Sequence, residues 1–134
     1  MNYSEINIGD KASLSKVFTD ADVISFANIS LDNNPVHLDK EYAKNTIFEK
    51  RIVHGFLVGS LISAVIAEKL PGSGSIFLYQ NMNFLKPVFH NERITAEIEV
   101  IKKRKDKQLI TLRTICFKDE KEIVIEGEAL VKLV

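Results

Sequence analysis

With one cysteine, no tryptophan and three prolines in 134 residues, this chain is short of several residue types that often carry structure or chemistry. A lone thiol, Cys116, excludes an intrachain disulfide and a cysteine-rich zinc site. Charge of one sign is lacking too: 18 Lys+Arg balance 18 Asp+Glu, so no global field draws the chain to nucleic acid or to acidic lipid. The uncharged stretch over residues 52–67 is too short for a membrane span and is broken by His54, Gly55, Gly59, Ser60 and Ser63. The first residues, MNYSEINIGDK, have neither a basic start nor an apolar run, so no signal peptide is visible. What is present, 46% apolar and 27% charged residues, describes an ordinary globule. One cytoplasmic domain over residues 1–134, burying roughly two-thirds of its unfolded surface, is the expectation.

Hydrophobic spacing gives the elements. Thr19 followed by Asp22 reads as a capping box, and Val23, Phe26, Ala27 and Ile29 give an amphipathic helix ending near Ser30. Residues 31–37, Leu-Asp-Asn-Asn-Pro-Val-His, cluster turn formers around Pro35 and read as a structured loop. A short polar helix over residues 39–45 follows, with Asp39 as its cap. Residues 55–70, GFLVGSLISAVIAEKL, are apolar on almost every side, so a sheet must curl around this helix to bury it. Pro71 to Gly74 stop it. Residues 75–85, 93–103, 109–118 and 122–134 read as strands, with a tight turn at 118–121 and a further strand at 11–17. The alternation of Ile94, Ala96, Ile98 and Val100 with polar neighbours implies one wet face, as antiparallel sheets permit. About five strands and one swallowed helix make an α+β fold.

The candidate chemistry lies with the histidines. His37 stands five residues after Asp32, with Pro35 between them, so the bend decides whether they meet. If they do, a carboxylate and an imidazole share a pocket and exchange protons with one water. If not, Asp32 and Asn34 cap backbone amides and His37 sits at the surface. His54 immediately precedes Gly55, where the first amides of the apolar helix have no intrahelical acceptor and can hold a developing oxyanion. The plainer alternative is that Gly55 eases the turn and His54 packs there. His90 receives no role. Residues 102–107, KKRKDK, read as a solvated hairpin tip. Cys116 lies mid-strand, as a core residue.

Four segments carry a resemblance spanning almost the whole chain: Asp32-Asn33-Asn34-Pro35-Val36-His37, Ile52-Val53-His54-Gly55, residues 70–76 (LPGSGSI) and residues 84–88 (FLKPV). Through them the sequence resembles the MaoC-like hot-dog family, and within it the short single-domain (R)-specific enoyl-CoA hydratases. Lys50-Arg51 leads into the second segment without the proline expected there, a difference of loop rather than chemistry. The resemblance implies a hot-dog fold, a five-stranded antiparallel sheet wrapped around one long central helix. It implies a homodimer joined sheet edge to sheet edge, with an acyl-CoA thioester tunnel at the interface. Asp32 and His37 are then the catalytic pair, Gly55 the amide on the thioester carbonyl, Asn34 a residue shaping the substrate loop, and Ser63 the helix serine placed near Asp32. No metal or other cofactor is implied, and no nucleic acid or membrane partner. A carrier-protein dehydratase would share the pair. A thioesterase would place a carboxylate on the helix interior, which residues 56–67 lack, and a silent acyl-CoA binder would not need the pair.

Overall fold

The alternation read in residues 93–100 becomes the spine of the sheet. The structure is a computed structural model describing residues 1–119 and 121–134, so the tight turn expected at 118–121 falls on Glu120, outside the described residues. Strands β1 (Lys11–Val17), β2 (Ser75–Gln80), β3 (Asn83–Phe84), β4 (Arg93–Arg104), β5 (Leu109–Lys118) and β6 (Glu122–Leu133) form one sheet. Its order is β1-β4-β5-β6-β2, with β3 also on β6 and every pairing antiparallel. Ile94, Ala96, Ile98 and Val100 of β4 are fully buried, as are Ile110, Leu112 and Cys116 of β5. Burial pushes the Cys116 thiol up to about 12, which agrees with a core role and not a nucleophilic one.

Helices α1 (Asp20–Ser30), α2 (Pro35–Leu38) and α3 (Lys40–Lys44) precede the long helix α4 (Gly55–Glu68). The capping box forms as expected, with the Asp22 amide on Thr19 Oγ1 and the Thr19 amide on the Asp22 carboxylate. Asp39 caps α3 by accepting the Tyr42 amide. One correction concerns residues 35–38, which close a helical turn where a loop was expected. Pro35 supplies the right φ at its first position, and Asn34 Oδ1 accepts the Val36 amide.

α4 lies against β1, β4 and β5 and buries Val58, Leu61, Ile62, Val65 and Ile66 on them. Each side chain so buried stabilises the fold by about 2 kcal/mol before ordering costs. The wrapping is incomplete, however. Phe56, Ser60, Ser63 and Ala67, spaced as one helical face, are exposed. The expected strand over 75–85 is also split. β2 bulges between Phe77 and Tyr79, the chain leaves the ladder at Asn81, and β3 rejoins β6 opposite Ile125 and Glu126. A sixth, two-residue strand is therefore added to the five expected. Among the described residues no helix is long and apolar enough to cross a membrane.

Candidate active site

Residues 31–37 and 51–55 meet at the N-terminus of α4. α1 ends with Leu31 in the left-handed region (φ 67°), which turns the chain so that Asp32 follows the helix at once. Ser30 Oγ accepts the Asp32 amide at 3.1 Å, and Asp32 Oδ1 accepts the Asn34 amide at 3.2 Å. The carboxylate stays exposed and keeps its second oxygen free of these contacts. On the other side, residues 51–54 are pinned at every step. Arg51 pairs with Asp20 at 3.2 Å, the Ile52 amide donates to Val36 O, and the Val53 amide donates to Val88 O.

His37 is buried against that segment, and its Nδ1 lies 2.8 Å from Ile52 O. A carbonyl can only accept, so Nδ1 carries the proton and Nε2 is the bare nitrogen. Burial, the largest influence, holds His37 below the usual histidine range. The His54 and His90 imidazoles add to this, and the Ile52 carbonyl and the Asp32 carboxylate oppose it. The resting ring is therefore neutral at pH 7.

His54 enters this site more deeply than the sequence suggested. It is 1% exposed, its Nε2 donates to the Asp32 carbonyl at 3.0 Å, and its ring stacks on His37 with centroids 3.8 Å apart. Phe26 packs edge-on against its other side at 4.8 Å. Parts of both readings for the loop are seen: Asp32 and Asn34 accept backbone amides, while His37 is buried and brought together with Asp32 and His54. Local sequence could not show this third member, because 22 residues separate it from the carbonyl it holds. Its one signal was its place before Gly55.

Beside the cluster opens a cavity of about 690 Å³, lined by Asp32, His54 and Gly55 at its polar end and by apolar groups including Phe26, Phe84 and Ile125. The His37 ring lies behind this lining, within the group of Asp32, His37 and His54 whose donor atoms all fall within 4.8 Å. That group has the composition of a cation site. Its two imidazoles are stacked, however, so their in-plane lone pairs do not converge on one ion unless a ring turns. Among the described residues no other cluster of this kind is found.

Gly55 is the first residue of α4, so its amide has no acceptor within the helix. A side chain there would meet Phe84, whose Cε1 lies 2.6 Å from the position of an added Cβ. Gly55→Ala is expected to swing the half-exposed Phe84 ring into the cavity. That should lower kcat roughly 10-fold, as for a reacting group displaced by a fraction of an ångström, while melting stays within a few degrees of wild type. Kinetics and a thermal melt on one preparation check both.

Two of the expected residues lie outside the cavity lining of the protomer. Ser63 is eight residues along α4 from Gly55, about 12 Å by helix rise, on the exposed face. Asn34 does not line the cavity either, and its Oδ1 is spent on the Val36 amide as a cap. His90, given no role, donates Nδ1–H to Asp20 at 2.6 Å and so holds the same carboxylate that anchors Arg51.

A helix cradled by an antiparallel sheet, with a carboxylate and two imidazoles at the helix start beside an apolar cavity, defines a hot-dog protein equipped for proton transfer. The chain belongs to the MaoC like domain family, which matches residues 5–117. It is 46% identical to the (R)-specific enoyl-CoA hydratase of Aeromonas caviae over 133 residues, covering 99% of each chain. The solved structure of an (R)-hydratase from A. caviae involved in PHA biosynthesis superposes with a TM-score of 0.93 over 96% of this chain and 98% of that one, at 46% identity. A mitochondrial 3-hydroxyacyl-[acyl-carrier-protein] dehydratase of Arabidopsis thaliana is 35% identical, covering 92% of this chain and 75% of its own.

Proposed function

We propose that this protein, as a single MaoC-like hot-dog domain over residues 1–134, hydrates trans-2-enoyl-CoA reversibly to (R)-3-hydroxyacyl-CoA. The observation that carries this reading is Asp32 and Gly55 lining the polar end of an apolar cavity, with His37 packed close behind Asp32. The name of the A. caviae relative supports the substrate and the stereochemistry.

The chemistry follows from the groups' states. Asp32 as carboxylate and His37 with a bare Nε2 both offer lone pairs, so at rest the pair accepts hydrogen bonds from one water. The water oxygen bonds to C3, and the C2=C3 electron pair moves onto C2 and the thioester carbonyl. The pair removes one proton from the water. The Gly55 amide, at the positive end of α4, stabilises the enolate oxygen. A proton from the pair then bonds to C2, so its proton count returns to the starting value. This modifies the simplest division of labour, in which His37 is the donor from the outset.

The assembly reading is a homodimer. β2 is an edge strand with Ile76, Phe77, Leu78 and Tyr79 all exposed, and the open face of α4 carries the exposed Phe56 beside the small residues Ser60, Ser63 and Ala67. A second copy paired along β2 would cover both and satisfy the free edge. It would also bring the partner's surface toward the cavity beside Phe56 and Phe84. A lone buried thiol and a CoA thioester substrate suit the cytoplasm.

Purified protein mixed with crotonyl-CoA tests the function. The expected result is rapid, reversible loss of enoyl-thioester absorbance, the (R)-3-hydroxy product and no free thiol. Release of thiol would replace the reading with a thioesterase. Turnover of enoyl-carrier-protein thioesters alone would favour the dehydratase reading that the A. thaliana relative represents.

A further inference from the structure

His54 is the only side chain among the described residues that both hydrogen-bonds the Asp32 backbone and stacks on the His37 ring. Asp32 otherwise rests on contacts only two residues away along the chain, the hydroxyl of Ser30 at the end of α1 and the Asn34 amide. His54 belongs to a different segment. It is the N-cap of α4, its carbonyl accepts the Leu57 and Val58 amides, and the residue before it is tied to Val88. The start of α4 thus reaches across to the Asp32 loop through a single N–H. We propose that His54 is a positioning residue, whose Nε2–H holds the Asp32 carbonyl and thereby sets the carboxylate against the His37 ring.

The hydrogen-bond pattern fixes the tautomer this role requires. Asp32 O accepts only, so the proton is on His54 Nε2, and His54 Nδ1 is a buried lone pair without a hydrogen-bond partner. Such a bare nitrogen costs desolvation that a phenylalanine at the same place would avoid. For packing alone Phe would serve as well between Phe26 and His37. The imidazole is needed for its donor.

The inference rests on the reading of Asp32 and His37 as the proton-transferring pair, and the test separates the two. His54→Phe keeps a ring between Phe26 and His37 and removes the donor, while His54→Gln keeps an N–H donor and removes the ring. The expected result is a 10- to 100-fold lower kcat in His54→Phe with KM within about threefold, because a reacting group misplaced by about 1 Å loses that much. His54→Gln is expected to recover to within about fivefold of wild type. Equal impairment in both variants, or full activity in His54→Phe alongside inactive Asp32→Asn and His37→Ala, would overturn the positioning role alone. Full activity in all of these variants would overturn the pair as well. Nitrogen-15 NMR of the wild-type protein gives a readout independent of how the variants fold. It should show His54 protonated at Nε2 and His37 at Nδ1, and an Nδ1-protonated His54 would sink the proposal.

Discussion

Asp32→Asn and His37→Ala are each expected to lower kcat for enoyl-thioester hydration by about two to four orders of magnitude, the usual contribution of a positioned acid–base group. The two substitutions act differently. Asparagine at 32 preserves the side-chain oxygen that accepts the Asn34 amide, so the loop keeps its shape and only the basic oxygen is lost. Alanine at 37 removes the ring against which His54 stacks and frees Ile52 O, so its melting temperature should fall as well, by a few degrees. The double variant should be little worse than the more damaging single one, because groups acting on one water fail as a unit. Near-full activity in either purified single variant would remove that residue from the mechanism.

The acid limb of kcat/KM belongs to the same prediction. Catalysis needs His37 neutral, and burial, together with the neighbouring imidazoles, lowers its folded pKa below the ordinary value of about 6.5. Activity should therefore persist on acidification past 6.5 and fall only as pH drops through the lowered folded value. Stability has the same sign. Between the two values the unfolded chain binds the proton that the folded ring refuses, so His37 contributes stability above the unfolded pKa and loses it as pH falls through the folded one. An acid limb at or above about 6.5 would show that the folded ring is not held below the ordinary value, and loss of activity on raising the pH through that region would mark the imidazolium as the working form.

Much of this site was legible because its parts are local or periodic. The capping box at Thr19 and Asp22, the Asp39 cap and the alternation of β4 are set by residues a few positions apart, and each formed where read. The meeting of Asp32 and His37 was left open by spacing and needed the family resemblance to decide it. The exposure of Ser63 was not legible for a geometric reason: an apolar helix gives no sign of which serine faces outward until the sheet shows where it stops wrapping. His54 was invisible as a partner because its hydrogen bond joins two segments that only tertiary structure brings together. The break in the strand over 75–85 was missed likewise, for its cause lies on β6, more than 40 residues on.

That cause is Gly127, and Gly127→Ala is expected to destabilise the fold by about 3 kcal/mol, lowering the melting temperature by roughly 10 °C. At the break, Asn81 replaces a ladder carbonyl with its own side chain: its Oδ1 accepts the Glu128 amide at 2.9 Å, and its amide donates to Glu128 O at 3.0 Å. The main chain of Asn81 consequently crosses close over Gly127. An added Cβ at Gly127 would lie 2.5 Å from Asn81 Oδ1 and 2.8 Å from the Asn81 carbonyl carbon, and nearer still to its oxygen. These are largely backbone atoms, so no rotamer change relieves the clash. The ladder must open, and about 1 kcal/mol per lost hydrogen bond adds to the overpacking. The damage should reach the active site too. β3 leads directly into Phe84, Leu85, Lys86, Pro87 and Val88 of the cavity wall, and Val88 O holds the Val53 amide beside His54. Urea unfolding should therefore show the lower midpoint, and the folded variant should bind enoyl-CoA with a raised KM. Wild-type stability in Gly127→Ala would mean that the Asn81 segment can draw back from β6, and that its close approach is not what keeps β2 and β3 on one strand.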